Sequence, residues 1–432
     1  MKFNAFKTVT VSLTCIGMLI GLGACGSGNG SKKASNGTIT MTMMHNYTMG
    51  TSKTYMEDMA KQFEAKHPNV KITQQAIQNE DYEGKIQTAM QDESSAPDIF
   101  YSRGGQKLRD MVDAGQVQDI TSKVSDTVKK QMKTGLVSHT IDGKIYGVPS
   151  DMQPGGFWYS KDLFKQAGIA SAPKTLNELK EDVGKLKQAG ITPIGLAAKD
   201  AWPVGHWWYH LSMRECPVSV FKNGMTQKKF SDPCWTKAGD DLQDVISWKP
   251  FNDGYLTTSA QQGASSSAGL LANHKVAMEL TVASEPGVIK NLTPDGKDLA
   301  DLGFFPFPAV EGAKGDQKSM MGGADGFACS TKAPKECSEF LNFLSEKKNQ
   351  EQYAVANGTI PASTEAQDVV DNPALKEDID AYNHASTMYL WMDTQLGTNV
   401  GTALNTAVVN LLTGKGSSKD IVKAVEDASK KG

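Results

Sequence analysis

The sequence is short of several features that would settle its chemistry at once. It has no basic patch: across 432 residues the formal net charge is −3, which gives nucleic acid no electrostatic footprint. It has no apolar run long enough to span a bilayer comfortably; the run at about 9–22 is too short and ends in small residues. Six cysteines are present, but the spacings lack the C-x-x-C pairs of a structural zinc site. His206 and His210 stand at i, i+4, yet no Glu follows His206 and no third ligand is apparent, so helix packing or surface is their expected role. Ser265 lacks the second glycine of a nucleophile elbow. Gly414-Lys-Gly-Ser417 lacks the spacing of a phosphate loop. Nothing singles out a carboxylate pair of the kind a glycosidase places about 5–10 Å apart. There is no internal repeat. What remains is a binding problem, with no enzyme chemistry, cofactor or metal expected.

The length suffices for two or more domains, each with its own core. Lys2 and Lys7 precede the apolar run, so residues 1–24 read as a secretory leader. Leu22-Gly-Ala-Cys25 resembles the bacterial lipobox, and by that resemblance Cys25 becomes the lipid-modified first residue of the mature protein. The Gly/Ser/Asn-rich stretch to residue 37 is then a flexible tether, 25–37, and lipid is the only membrane attachment expected. Cys15 leaves with the leader. Four cysteines are left, and an even number in an exported chain favours disulfides over zinc. Three pairings are possible; Cys216–Cys234 and Cys329–Cys337 are expected because each closes a short local loop.

Apolar alternation at 38–44 predicts a strand, and Tyr55, Met56, Met59, Ala60 and Phe63 fall at helical spacing. Strand signals recur at 70–73 and 97–101, with helical patterns between them. Strands alternating with helices predict an α/β fold with a mainly parallel sheet. Ligands collect beyond the carboxyl ends of such strands, which points to the loops at 45–50 and 102–105. Further on, Thr175 and Glu178 form a capping box, 202–210 is the densest aromatic cluster, and the end predicts two helices broken at 413–416.

The centre of the chain is Tyr146 to Phe164, Y-G-V-P-S-D-M-Q-P-G-G-F-W-Y-S-K-D-L-F. Pro149 and Pro154 bias their neighbours to extended conformations, and Gly155 and Gly156 allow backbone freedom. An apolar segment that stops, passes through 150–156 and restarts reads as a crossing between domains. Tyr-Gly-Val-Pro followed by Trp-Tyr-Ser-Lys-Asp-Leu-Phe resembles the crossover of bacterial extracellular solute-binding proteins of the sugar-transporter type. Ser160 stands where that family more often has Asn. Phe304-Phe-Pro-Phe-Pro308, Glu339-Phe-Leu-Asn-Phe-Leu344 and Gly358-Thr-Ile-Pro361 carry the resemblance through most of the mature chain.

The resemblance implies a two-lobed fold of the type II periplasmic-binding-protein kind, with ligand clamped at the hinge. A second crossing is expected at 303–308. The lobes would be 38–148 plus 304–346 and 149–303 plus 347–432. A sugar needs aromatic rings for its faces and carboxylates, amides or Arg for its hydroxyls. The loop after the first strand offers His45, Asn46 and Tyr47, and the loop after the third offers Ser102 and Arg103. The first crossing offers Asp151 and Gln153. The aromatic cluster offers Trp202 and Trp207, with one of Trp207 and Trp208 expected to pack inward. Glu285, the glycine-flanked Asp325, and Tyr389, Trp391 and Asp393 complete the candidates, while Trp235 and Trp248 are expected in the core. By resemblance the chain is a monomer on the outer face of the bacterial cytoplasmic membrane. It would capture a small carbohydrate and hand it to the permease subunits of an ABC importer. A surface hydrolase or a binder of a non-sugar solute is the alternative.

Overall fold

The computed structural model describes residues 37–431. The predicted leader, the lipobox at Cys25 and the tether before Gly37 lie outside the described residues. Among the described residues no helix is long and apolar enough to cross a membrane.

The first sheet grows from the predicted alternation. Ile39–His45 buries Met41, Met43, Met44 and His45. It pairs in parallel with Val70–Ala76 on one side and Ile99–Ser102 on the other. The helix Gly50–Lys66 turns Tyr55, Met56, Met59, Ala60 and Phe63 inward, a stripe at helical spacing that covers the sheet. Gly326–Cys329 and Gly147–Pro149 extend the sheet antiparallel at its far edge. Helices Glu336–Leu344 and Lys347–Asn357 close the same core, with Phe340 edge-on to Phe63 and Tyr353 edge-on to Tyr55.

The second sheet is built around one strand, Asp151–Ser160, in which every residue but Tyr159 is buried. Met278–Val282, Leu302–Pro306, Met320–Gly323 and Ile360–Pro361 all pair with it antiparallel. The sequence suggested an irregular passage over 150–156, but the strand runs through most of it. Gly155 and Gly156 serve close packing there rather than a bend: a Cβ at Gly155 would lie 2.3 Å from the Trp391 ring, and one at Gly156 2.4 Å from the Phe304 ring. Ser160 ends the strand by capping the helix Lys161–Gln166, its Oγ accepting from Leu163 N at 3.1 Å. The final helices, Thr398–Leu412 and Ser418–Ser429, break where expected. One disulfide staples each lobe, Cys329–Cys337 in the smaller and Cys216–Cys234 in the larger.

Within the described residues the chain passes between the sheets three times. It does so at Ser150, between Gly147–Pro149 and Asp151–Ser160; at Ala324 and Asp325; and at Gly358 and Thr359. The crossings are tied together: Ser150 N donates to Asp325 O at 2.7 Å and Ala362 N to Ser150 O at 3.0 Å. The segment 303–308, expected to cross, instead contributes a strand to the larger sheet, with Phe304 opposite Trp158 and Phe305 opposite Phe157. Alternate aromatic rings there pack on both faces of that sheet, and a string of Phe and Pro reads the same in a buried strand as in a crossing. Strand pairing therefore keeps 304–323 with the larger sheet, while helix Lys347–Asn357 packs on the smaller lobe.

Candidate functional site

A cavity of about 670 Å³ opens between the two lobes, against the crossings. Its smaller-lobe wall comes from the loops beyond the carboxyl ends of Ile39–His45 and Ile99–Ser102, which supply Asn46, Tyr47 and Arg103. Arg103 is the hub of that wall. Its Nε donates to Glu83 at 2.6 Å, its Nη2 to Asn79 at 2.7 Å and its Nη1 to Asp325 at 3.3 Å. Burial alone would raise the Glu83 carboxyl, but Lys107 and Arg103 together bring it below the usual range.

Two carboxylates occupy the crossings at the base of the cavity. Tyr101 donates to Asp325 at 2.6 Å. Tyr353 donates to Asp151 at 2.5 Å and Gln153 Nε2 does so at 2.9 Å. Tyr47 and Tyr353 hydroxyls are 2.9 Å apart, which extends the network toward the first strand. Burial first, and the charge of Asp325 second, push the Asp151 carboxyl up to about 7. Gln153 Oε1 accepts from Ser284 N, so its amide orientation is fixed by both ends.

The larger-lobe wall is aromatic. The helix Trp202–Glu215 presents Trp202 and, one turn on, His206 to the cavity. His206 stacks face to face on Trp391, centroids 4.0 Å apart and planes 2° apart, and lies 4.9 Å from Trp202. Burial drops its pKa to about 3, so the imidazole is neutral and part of an aromatic block. Trp391 in turn lies against the bare backbones of Gly155 and Gly323, which explains why glycine stands at both. Ala201, just before the helix, sits at φ +61°, a strained turn that sets Asp200 and Trp202 at the cavity.

The predicted residues divide cleanly. Besides the three on the smaller-lobe wall, the cavity is lined by Asp151, Gln153 and Asp325 of the crossings and by Trp202, Trp391 and Asp393. Five others point elsewhere. His45 is buried beneath its loop, bonded to Gln74 at 2.9 Å and to Tyr47 N at 3.2 Å. Ser102 is buried and accepts from Gly104 N. Trp207 packs edge-on to Phe157 in the larger core and Trp208 on Trp235, so both of that pair turn inward. The cause is helical rotation: positions 202 and 206 share a face, and 207 and 208 are turned away from it. Glu285 is fully buried beside Glu279. Tyr389 leans on Phe221 from the other side of its strand, one residue out of phase with Leu390. Trp235 is core as expected, and Trp248 is half-buried at its edge. Residues missed from sequence include Asn79, Glu83, His206 and Tyr353, all on the cavity wall. The turn from Trp202 to His206 was the one legible signal among them.

Among the described residues no group of three side chains converges as a metal site. Residues 49–351 match the family described as bacterial extracellular solute-binding protein. The chain is 24% identical over 398 residues to an uncharacterized ABC transporter extracellular-binding protein of Pyrococcus horikoshii, covering 90% of this chain and 86% of the relative. It is 25% identical over 372 residues to the diacetylchitobiose binding protein DasA of Streptomyces coelicolor, 82% of each chain. A structure solved in work on xylan utilization by the thermophilic bacterium Caldanaerobius polysaccharolyticus superposes with a TM-score of 0.82 at 24% identity, covering 90% of this chain and 99% of that one. The fold is therefore the two-lobed, type II periplasmic-binding-protein architecture with its cleft at the hinge. The match spans well over half of the sequence, and the chain belongs to the bacterial extracellular solute-binding proteins.

Proposed function

We propose that this protein captures an oligosaccharide in the interlobe cavity and delivers it to an ABC importer, without turning it over. The observation that carries the reading is the pairing of walls. An aromatic block of Trp202, His206 and Trp391 faces hydrogen-bonding groups on Asn46, Arg103, Asp151 and Gln153. The first suits the C–H faces of a sugar, the second its hydroxyl rim. A relative named for diacetylchitobiose and one named for an ABC transporter support it. Ligand that touches both walls favours the closed arrangement by its differential affinity for it. Micromolar binding supplies about 8 kcal/mol, ample for a closure of a few.

The protein acts as a monomer held by lipid on Cys25 at the outer face of the cytoplasmic membrane, and its closed form docks on the permease subunits. The hydrolase alternative has one observation behind it, the buried Asp151 beside Asp325 in the cavity. Calorimetry on protein starting after Cys25, titrated with oligosaccharides of defined linkage and length, tests both. Micromolar or tighter binding with intact sugar recovered is expected. Cleavage products would replace the binder by the enzyme, and silence across the panel would remove the sugar.

A further inference from the structure

The cavity wall carries more negative charge than its own cations answer. Seven carboxylates line it against Arg103, Lys107 and Lys199. Arg103 pairs with Glu83 and Asp325, Lys107 is 4.0 Å from Glu83, and Asp151 is held by Tyr353 and Gln153. Four remain, and none of them is in an ion pair among the described residues. Glu80 and Asp81 stand on the smaller lobe, Asp200 and Asp393 on the larger. The two lips approach closely: Gln262 of the larger lobe donates to Glu80 at 2.6 Å. Asp200, half-buried and bonded to Ala260 N, feels Glu80 and Asp81 across the opening and is partly offset by Lys199 beside it, and Glu83 feels Asp393. Bringing like charges together on closure is unfavourable unless something positive lies between them.

A separate observation concerns orphaned polar atoms on the same wall. His206 is 4% exposed, and its Nδ1 has no partner. Asn46 Oδ1 and Glu80 Oε1 are likewise buried and unpartnered, and Trp202 Nε1 is the one donor among the orphaned atoms of this wall. The oxygens accept, and a neutral imidazole keeps one accepting nitrogen. Surplus acceptors ask for a ligand rich in donors. No three metal-ligating side chains converge among the described residues, so the positive charge is better supplied by a group spread along an organic ligand than by a bare ion.

We propose that the solute is an amino sugar, its ammonium lodged between Asp200 and the Glu80–Asp81 lip, beside the ring of Trp202. This rests on the sugar-binding reading of the same cavity. An ammonium offers three donors and no acceptor, which matches the surplus, and an indole face is a favourable neighbour for it. N-acetylation of the same sugar keeps the skeleton and removes the charge.

The test is calorimetry of the full mature chain with matched pairs: glucosamine and galactosamine oligomers against their N-acetylated twins, at low and at high salt. The amine member of at least one pair should bind about tenfold or more tighter than its twin, with the gap closing as salt rises. Asp200→Asn should reduce the amine's affinity by more than the twin's. It still offers an oxygen to Ala260 N, which now donates to Asp200 at 2.6 Å, so its melting temperature serves as the folding control. A twin that binds as tightly as its amine, or a neutral sugar that binds when no amine sugar does, overturns the amine and leaves the sugar. A salt-independent preference, or an Asp200→Asn loss equal for both members, overturns it as well. If no sugar of any kind binds, both readings fall together.

Discussion

The two walls of the cavity solve one problem in opposite ways. On the smaller lobe, Arg103 is pinned by Glu83, Asn79 and Asp325, and the polar groups hold one another in place before any ligand arrives. On the larger lobe, Trp391 and His206 are fixed by stacking and by two glycine backbones, with little polar restraint. One wall is oriented by charge and the other by packing. Apolar area contributes most of the affinity in well-packed sites, whereas paired charges mainly set orientation and specificity. Trp391→Ala should therefore be the most damaging single change. Removing a buried indole from the centre of the site costs about 3 kcal/mol, about a hundredfold in affinity for whichever sugar calorimetry identifies. Trp391→Phe should recover part of it. An affinity unchanged by Trp391→Ala would remove the aromatic wall from the binding surface.

The corresponding change on the charged wall should do less. Arg103→Met strands Glu83 and Asp325 beside each other, with Lys107 the one cation left near them. Breaking a fully buried pair costs about 3–5 kcal/mol. The Arg103 side chain is 20% exposed, so solvent screens part of that, and a loss of about 1–2 kcal/mol is expected. Affinity should fall about tenfold and the melting temperature by a few degrees, while Trp391→Ala, which empties a buried position, should lower both by more. If Arg103→Met were the more damaging of the two to binding, the assignment of roles to the walls would be reversed.

The same contrast explains what was readable in the sequence. Lobe architecture follows from alternating strand and helix patterns, and the smaller-lobe wall follows from a rule about strand ends, which is why Asn46, Tyr47 and Arg103 could be named in advance. The larger-lobe wall depends on rotation. Whether Trp202 or Trp207 meets the cavity is a matter of about 140° around one helix, and that helix is buried on nearly all sides, so no polar face marks its orientation. Tyr389 and Trp391 are two apart and would share a face in one strand, but the strand ends at Leu390 and Trp391 caps the short helix Met392–Gln395, so its ring is aimed by that turn. The second crossing was misplaced because Phe304-Phe-Pro-Phe-Pro308 satisfies a buried strand and a passage between lobes equally well. Asn79 and Tyr353 reach the cavity through tertiary folding from a helix start and a helix interior, and no local pattern distinguishes them.

The lobes also differ in how they keep carboxyls out of water, and pH can separate the two strategies. The smaller lobe neutralises Glu83 with Arg103 and Lys107. The larger lobe buries Glu279 and Glu285 together with no cation, Ser267 donating to Glu279. Burial raises both carboxyls, Glu279 to about 8 and Glu285 well above its usual value. An unfolded glutamate titrates near about 4.3. Between these values the folded state holds protons that the unfolded chain has released. Stability from this pair is therefore fully present below the unfolded value and is lost progressively as pH rises through about 8. Glu279→Gln keeps an oxygen for the Ser267 hydroxyl and needs no proton, so it should flatten that slope. The variant should melt a few degrees above the parent in alkaline buffer and close to it in acid, as scanning calorimetry across pH would show. Equal melting temperatures at every pH would mean that the pair is solvated or ionised within the larger lobe. Both lobes would then handle buried charge by the same means.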